Sequence, residues 1–347
     1  MKFKSHLASI MGVFAFLCGN VAKAESDVVI SVDEGVSMAQ PIAVIPFKGS
    51  ANEDVGQIIA DDLRNSGKFS PIDRTKLPAQ PGSASEVVSQ QWTDIGVDMV
   101  VVGQVTPAGG GYNVAYQLVD TLSSPAAVLD QGAFNVPATQ MRQGAHTVSD
   151  LVFEKITQIR GAFRTKIAYV VQRGVSSYEL RVSDYDGFNA FTVVRSKEPL
   201  MSPEWAPDGS KLAYVTFENK KAQVVVHDLR SGSRRVVAAL KGHNGAPAFS
   251  PDGSKIAFAS NQDGELNIYV VGAGGGTPSK LTANAGNNTE PSWSPDGGFI
   301  YFTSDRSGSP QVYRMSASGG GVSNVGGGVS YAAKSSADGK NLIMIAG

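Results

Sequence analysis

Apolar residues follow two different spacings in the first part of the chain. Residues 42–47 form a short apolar run that predicts a strand. Residues 54–66 carry apolar side chains three and four positions apart, which predicts a helix that stops at Gly67. The side chains on this helical face are Val55, Ile58, Ile59 and Leu63.

A hairpin and a longer helix are predicted further along. Residues 99–105 and 112–119 are apolar runs on either side of a triple-glycine turn, so we expect two paired strands. A helix is predicted up to Gly161 from apolar residues again spaced by three and four, namely Val148, Leu151, Val152, Ile156 and Ile159. Together these elements predict a small α/β domain over residues 25–160.

Beyond residue 163 the pattern becomes a repeat. Pro-Asp-Gly occurs at residues 207–209, 251–253 and 295–297, and Ala-Asp-Gly occurs at 337–339. The four aspartates are 44, 44 and 42 residues apart. A period in the forties, made of short strands and tight turns, is typical of β-propeller blades. The predicted fold class is therefore two domains, the small α/β domain followed by a β-propeller over residues 163–347.

The repeated motif suits a tight turn between two buried strands. Proline presets the backbone angle at the second turn position, and glycine closes the turn. The aromatic residue before each turn is expected to pack between blades, and these residues are Trp205, Phe249 and Trp293. We interpret all of these positions as structural.

The register of the repeats leaves the first blade without its innermost strand. Residues 166–170 match residues 211–215 at a distance of 45, so they predict the second strand of a blade. We expect a C-terminal strand to complete this blade. Because none occurs before Gly347, and open strand edges favour unwanted pairing, we predict that the sequence is truncated. A five-bladed protein that closes in another way is the alternative.

Residues 1–24 predict a secretory signal peptide. An apolar run over residues 7–17 follows basic residues, and an Ala-Lys-Ala cleavage site precedes Glu25, where the mature chain should begin. No later stretch is long and apolar enough to predict a membrane span. Cys18, the only cysteine, lies inside this segment, and Leu17 before it argues against a lipid anchor.

Charge and motif content narrow the function classes. Without the three lysines of the signal, 27 basic residues stand against 31 acidic ones, a formal charge of −4 that argues against nucleic acid as a partner. His146, His227 and His243 are far apart and lack metal-ligand spacing. The chain has no Gly-x-Ser-x-Gly motif and no phosphate-binding glycine loop. We predict no catalytic residue, cofactor or metal site, and leave open a metal in the propeller channel.

Two regions are candidates for binding. Residues 200–203, 243–247 and 288–291 enter the predicted innermost strands, and propeller symmetry places them around one mouth of the channel. Their mixture of polar and apolar residues suits protein recognition, with simple loop variation as the alternative. In residues 25–38 apolar side chains recur at every second position, which predicts either an edge strand or an arm that adds to a partner's sheet.

Specific segments also carry a family resemblance. The chain resembles the TolB family of the Tol-Pal system from Glu25 to about Gln311. Generic propellers share only the Pro-Asp-Gly turns, so the resemblance is specific. The segments that carry it are residues 44–47, 60–69, 101–105, 161–165 and 180–187, together with the three mouth segments.

The resemblance implies a periplasmic, monomeric, non-catalytic protein that helps to maintain the outer membrane and to constrict it during cell division. It implies a six-bladed propeller, with about four and a half blades present here. The family's channel mouth binds the lipoprotein Pal, and the matching positions are Met201, Pro203, His243, Ala246, Thr289 and Glu290. Its mature N-terminal segment binds TolA, which matches an arm over residues 25–36 that includes Glu25, Val28, Ile30, Val32 and Asp33. Other outer-membrane proteins are further partners to consider.

The fifth repeat departs from the family. Residues 330–333 read Ser-Tyr-Ala-Ala where relatives carry polar residues, so no partner contacts are transferred there. Two other function classes stay open at this point. One is a propeller-gated peptidase whose catalytic domain lies outside the sequence, and the other is a propeller that binds a sugar or a metal.

Overall fold

A computed structural model describes residues 39–49, 51–282 and 286–347. The predicted signal peptide and the predicted arm, with Glu25, Val28, Ile30, Val32 and Asp33, lie outside the described residues. Across these three ranges, every helix is too short or too polar to cross a membrane.

The N-terminal part is a five-stranded sheet with helices packed on it. Its strands and α-helices, in chain order, are β1 (Gln40–Val44), α1 (Val55–Asn65), β2 (Phe69–Pro71), α2 (Ser89–Thr93), β3 (Met99–Ala108), β4 (Gly111–Asp120), β5 (Ala127–Pro137) and α3 (Met141–Thr157). Short 3-10 turns lie at Arg74–Lys76, Ala84–Glu86 and Ala138–Gln140. The strand order is β2-β1-β3-β4-β5, with β1 parallel to both neighbours and β3, β4 and β5 antiparallel. The predicted hairpin is β3–β4, and the α/β class is confirmed.

The first helix forms where its apolar spacing predicted it. The Asp54 side chain caps α1 by accepting a 3.0 Å hydrogen bond from the backbone N–H of Gln57. Ile59 and Leu63 are fully buried against the sheet. Fully burying an aliphatic side chain contributes about 1.5–3 kcal/mol, so these residues fix the orientation of α1.

The second long helix differs in part from the prediction. Its buried face is formed by Met141, Ala145, Val148 and Val152, whose spacing of four, three and four keeps them on one side. Leu151 lies one position off this stripe and is 39% exposed, so its assignment to the buried face was wrong. The helix also ends at Thr157 rather than Gly161, because Gln158 adopts a left-handed conformation. Ile159 therefore lies outside the helix and is 56% exposed.

Apolar side chains cover both faces of this sheet. On one face α1 and α3 bury residues such as Val101, Val114 and Leu118. On the other face Trp92 of α2 is fully buried among Val100 and its neighbours. Residues 42–44 of β1 and 100–102 of β3 are buried on both sides, so these segments are continuous apolar runs, whereas β4 alternates between buried and partly exposed residues.

The second part consists of five sheets of short antiparallel strands among the described residues. The first has three strands, β6 (Lys166–Gly174), β7 (Ser177–Asp184) and β8 (Phe191–Ser196). The next three sheets have four strands each. The second sheet consists of β9 (Leu200–Trp205), β10 (Lys211–Thr216), β11 (Gln223–Asp228) and β12 (Arg234–Ala238), and the third of β13 (Asn244–Phe249), β14 (Lys255–Ser260), β15 (Asn267–Gly272) and β16 (Ser279–Lys280). The fourth consists of β17 (Asn288–Trp293), β18 (Phe299–Ser304), β19 (Gln311–Ser316) and β20 (Ser323–Asn324). The last has two, β21 (Ser330–Ser335) and β22 (Leu342–Ala346).

The innermost strands are β9, β13, β17 and β21, and each contacts the next around a common axis. This arrangement confirms a propeller architecture. As the repeat register predicted, β6 corresponds to a second strand rather than an innermost one. It pairs only with β7 within the described ranges, whereas its counterpart β10 pairs on both sides.

The Pro-Asp-Gly segments form the predicted turns. In the third sheet the backbone N–H of Gly253 donates to the carbonyl of Ser250 at 2.8 Å, which closes a four-residue turn with Pro251 at its second position. Gly253 has a φ of 69°, a left-handed conformation that favours glycine. Oγ of Ser250 also donates to Oδ1 of Asp252 at 2.5 Å, which fixes the turn from inside.

The aromatic residue before the turn joins adjacent sheets, as predicted. Nε1 of Trp293 donates to the carbonyl of Ala248 in the preceding sheet at 3.1 Å. The matching atom of Trp205 is buried without an acceptor among the described residues. The preceding sheet at that point is β6-β7-β8, in which the position that corresponds to Ala248 is not filled by any described strand.

Candidate functional site

Every innermost strand carries the same interruption near its start. The pairing of β9 with β10 breaks after Met201, and equivalent breaks occur after Gly245, Thr289 and Tyr331 in the later sheets. The next residue adopts a left-handed conformation in each case, with φ of 50° at Ser202, 48° at Ala246, 51° at Glu290 and 55° at Ala332. These are β-bulges with a non-glycine residue at a strained position.

A repeated strain of this kind suggests a binding role. Left-handed conformations of residues other than glycine cost of order 1–3 kcal/mol each, and they concentrate at functional sites. Four bulges at the same level form one ring at one end of the channel, which we call the mouth. The candidate segments were expected to enter the innermost strands. They lie largely inside them, because the bulge rather than a loop turns the backbone towards the mouth.

The structure brings the predicted Pal-binding positions together at this mouth. Met201 and Pro203 belong to β9, Ala246 to β13, and Thr289 and Glu290 to β17, while His243 directly precedes β13. Met201 is 51% exposed, His243 and Glu290 are exposed, and the other three are half-buried. Ala246 and Glu290 are themselves bulge residues.

His243 occupies the place of a missing side chain. Gly245 has no side chain at the position that Met201 and Thr289 hold in the adjacent sheets. A Cβ atom on Gly245 would lie only 2.3 Å from Nε2 of His243, so the imidazole covers this glycine. The backbone N–H of His243 donates to Oδ1 of Asn261 at 2.6 Å, which fixes the loop that carries the ring.

Glu290 links two sheets at the mouth. Its Oε2 accepts hydrogen bonds from Oγ1 of Thr303 at 2.9 Å and from the backbone N–H of Ala332 at 3.1 Å. The second bond satisfies the amide of the next bulge. Glu290 is therefore exposed to a partner but held in one orientation, which lowers the entropy lost on binding.

An ion pair crosses the channel below the mouth. Nζ of Lys334 on β21 lies 3.6 Å from Oε1 of Glu204 on β9, and these residues occupy the same position of their strands. Burial raises the pKa of the Glu204 carboxyl above its ordinary value, and the Lys334 ammonium opposes this rise. Sequence reasoning did not identify either residue, although aligning the innermost strands places both in the channel.

A buried polar cluster joins the α/β domain to the propeller. Asp62 of α1 is 1% exposed. Its Oδ2 accepts from Nδ1 of His146 at 2.8 Å and from Oγ of Ser149 at 2.5 Å, both on α3. Its Oδ1 accepts from the hydroxyl of Tyr185, which follows β7, at 2.5 Å. Three donors from two domains therefore satisfy one carboxylate.

This cluster also contains residue types that bind metal ions. Among the described residues, Asp62, His146 and Asp186 have potential ligand atoms within 4.8 Å of one another. Asp62 faces Nδ1 of the imidazole and Asp186 lies 3.6 Å from Nε2, so the carboxylates approach opposite ring edges and do not converge on one point. The Arg142 guanidinium already pairs with Asp186. We interpret the cluster as a hydrogen-bonded joint. His227, on β11, and His243 lie elsewhere.

Comparison with known proteins agrees with this architecture. The family profile described as “TolB amino-terminal domain” matches residues 28–126. The profile described as “TolB beta propeller domain” matches residues 153–347, more than half of the chain.

Individual relatives point the same way. The Tol-Pal system protein TolB of Actinobacillus pleuropneumoniae is 84% identical over 248 residues, covering 71% of this chain and 58% of the relative. The protein of the same name from Haemophilus ducreyi is 76% identical with the same coverage. The crystal structure of TolB from Acinetobacter baumannii is similar with a TM-score of 0.82 and 35% identity, over 90% of this chain and 78% of that one.

The chain thus spans about 58% of the length of the curated relatives that it matches. Both domains, their order and the sequence identity agree on one assignment. The chain belongs to the TolB family of Tol-Pal system proteins.

Proposed function

We propose that this protein acts in the periplasm as a non-catalytic, monomeric adaptor of the Tol-Pal system. Its propeller mouth binds Pal, and its N-terminal arm over residues 25–36 binds TolA. Through these contacts it helps to maintain the outer membrane and to constrict it during cell division. The observation that carries the proposal is that Ala246 and Glu290, assigned to Pal binding by family resemblance, occupy the same strained bulge in adjacent sheets.

The chemistry of the mouth supports a protein ligand. It offers an apolar side chain in Met201, an imidazole in His243, a hydroxyl in Thr289 and a fixed carboxylate in Glu290. Protein interfaces combine apolar anchors with a few well-placed polar groups in this way. A rigid ring of this kind needs little reorganisation on binding.

Calorimetric titration of the purified chain with soluble Pal tests the mouth. His243→Ala and Thr289→Ala should each weaken binding by about 1–3 kcal/mol if they are anchors. Val322→Ala is the matched control, because Val322 is 40% exposed but lies beside the outermost strand β20, away from the mouth. Affinities unchanged in both mouth variants, with the fold intact, would remove the mouth from the proposal.

Deleting residues 25–36 tests the arm separately. The deletion should abolish TolA binding and leave Pal binding and the melting temperature within error, because the described core begins at Gln40. Retained TolA binding would locate that site elsewhere in the chain.

A further inference from the structure

The loops around the mouth differ in charge from one side to the other. Resting on the proposed function, we propose that this rim orients Pal, because acidic side chains of Pal lie over a basic sector formed by Lys197, Lys220, Lys221 and Lys241. These lysines lie around the mouth end of the second sheet, and the family resemblance assigned none of them to a partner.

The strand register places two of these lysines at the mouth. Leu200 at the start of β9 pairs with Thr216 at the end of β10, and Thr216 pairs with Gln223 at the start of β11. The turn between β10 and β11, which holds Lys220 and Lys221, therefore lies at the same end of the sheet as the bulge of β9.

The other two lysines flank residues already assigned to the mouth. Lys197 lies in the connection from β8 to β9, four positions before Met201. Lys241 lies in the connection from β12 to β13, two positions before His243. All four lysines are exposed. The basic sector is therefore continuous with the mouth, in the place that the polar rim of a protein interface occupies.

Most of the charge of the basic sector is not neutralised inside the protein. Lys197, Lys221 and Lys241 form no ion pair or side-chain hydrogen bond with the described residues. Lys220 pairs with Glu198. An acidic side chain of a partner can therefore pair with the first three lysines without displacing an internal partner.

The rim over the third and fourth sheets has the opposite charge. The turn between β14 and β15 carries Asp263 and Glu265, and the turn between β18 and β19 carries Asp305. The register of these sheets places both turns at the mouth end. Glu290 adds a carboxylate at the bulge of β17.

Charges that depart from this division are held within the protein. Glu218, in the turn that carries Lys220 and Lys221, pairs with Arg234 at 2.5 Å. In the acidic half, Nζ of Lys280 lies 2.9 Å from Oδ2 of Asp263. The Arg306 guanidinium lies over an aromatic ring of β19, 4.7 Å from its centre. The net charge of the rim is therefore positive over the second sheet and negative over the third and fourth.

A rim with two signs of charge acts before the partner touches the mouth. Complementary potentials steer a charged partner into one orientation and raise its association rate, and salt screens this effect. Charges at an interface rim change association more than dissociation. The basic sector therefore selects the orientation in which Pal arrives, while the mouth residues hold it once it is bound.

Stopped-flow association with soluble Pal tests the basic sector. A triple variant with Lys197→Glu, Lys221→Glu and Lys241→Glu should associate about tenfold more slowly than the parent at low ionic strength. The difference should fall below about threefold at about 1 M salt, where the Debye length is about 3 Å. The dissociation rate should change much less than the association rate.

The matched control changes the net charge equally at the other end of the sheets. Arg230, Lys255 and Lys340 are exposed, and they lie at the end that carries the Pro-Asp-Gly and Ala-Asp-Gly turns. Reversing these three charges to glutamate should change the association rate less than about threefold. Equal slowing in both triple variants would show that only the net charge of the chain matters, and would overturn the inference.

Glu265→Lys distinguishes orientation from general attraction. If Pal arrives in one orientation, an added cation in the acidic half should not speed its association. Faster association of Glu265→Lys, by as much as the triple variant is slowed, would show that Pal is attracted to the whole rim and that the rim does not orient it.

The outcomes also separate this inference from the proposed function. If the parent chain fails to bind Pal, the proposed function fails, and the role of the rim with it. If the parent binds but the folded triple variant associates at the parent rate, the rim inference is wrong and the mouth proposal stands. Loss of binding to anionic lipid vesicles with unchanged association to Pal would assign the sector to a lipid surface instead. If the triple variant melts early, Lys221→Glu alone, in an exposed turn, gives the same test with a smaller expected effect.

Discussion

The hydroxyl of Tyr185 donates a 2.5 Å hydrogen bond to Oδ1 of Asp62, so that a residue beside the first propeller sheet reaches into the α/β domain. The ring of Tyr185 packs against the core between the sheet and α1 and α3. Burial and the nearby Asp62 carboxylate raise the pKa of this phenol, which therefore stays a donor. The other side-chain hydrogen bonds to the Asp62 carboxylate come from His146 and Ser149, so the Tyr185 hydroxyl is one of its three donors.

We predict that Tyr185→Phe lowers the free energy of unfolding by about 2 kcal/mol, because a buried carboxylate loses a charge-assisted hydrogen bond. Denaturant titration measures this change. Tyr178→Phe is the control, since its oxygen contacts Gln172 on an exposed stretch, and it should cost less than about 0.5 kcal/mol. Equal losses in the two variants would contradict a special role for the joint.

The two tryptophans that precede the turns should respond differently to loss of Nε1. Both Trp293→Phe and Trp205→Phe remove ring volume, but only Trp293 has an acceptor, the carbonyl of Ala248. Trp293→Phe should therefore cost about 1 kcal/mol more than Trp205→Phe in unfolding experiments. A smaller loss at Trp293 would show that the inter-sheet bond contributes nothing.

The left-handed backbone at the bulge predicts how a glycine substitution there affects stability. Ala332 has a φ of 55°, and a left-handed alanine costs roughly 1–2 kcal/mol that glycine avoids. Ala332→Gly should change the free energy of unfolding by less than about 0.5 kcal/mol or stabilise the fold, because relief of strain offsets the flexibility of glycine. The adjacent Ala333 is 2% exposed without such strain, so Ala333→Gly should cost about 1 kcal/mol. The same loss at both positions would rule out strain at the bulge.

The turn aspartate Asp252 should make stability depend on acid pH. Hydrogen bonds from Ser250 and from the backbone and side chain of Ser254 lower the pKa of Asp252 to about 2. A carboxylate whose pKa is lower in the folded protein than in the unfolded chain stabilises the fold at pH values above the unfolded pKa of about 3.9. This contribution is lost as the pH falls towards the folded pKa of about 2.

The measurement is the melting temperature of the parent and of Asp252→Asn between pH 5 and pH 2. The parent should be the more stable at pH 5, and the difference should shrink as the pH falls through this window. Ser250→Ala removes the largest cause of the shift and should move the window upwards. A difference that does not depend on pH would show that the carboxylate charge is not what stabilises the turn.

Features set by nearby residues were predictable from the sequence. The turn at Ser250 to Gly253 depends on contacts within four residues, and α1 depends on a regular apolar spacing and on the Asp54 cap. The face of α3 was predicted only in part, because Leu151 fits the spacing as well as Phe153 does. Packing against the sheet, rather than the spacing, decides between them.

Features that join distant residues were not predictable in the same way. Asp62 and Tyr185 are 123 positions apart, and neither residue type signals a buried bond. The bulges depend on pairing with the following strand, so sequence reasoning did not predict them or show that the mouth segments lie largely within the strands. The fifth repeat was set aside because it differs from relatives, and for that reason Lys334 was overlooked.

The Glu204–Lys334 pair has a consequence for how the propeller can change. Neighbouring sheets are joined by buried apolar side chains, as between the sheets that contain β10 and β14, whereas β9 and β21 are joined across the channel by two side-chain tips. One substitution at Glu204 or Lys334 can shorten, lengthen or remove this side-chain link without altering any strand. The side chains that a group entering the channel would meet at this level can thus be changed by single mutations while the strands stay the same.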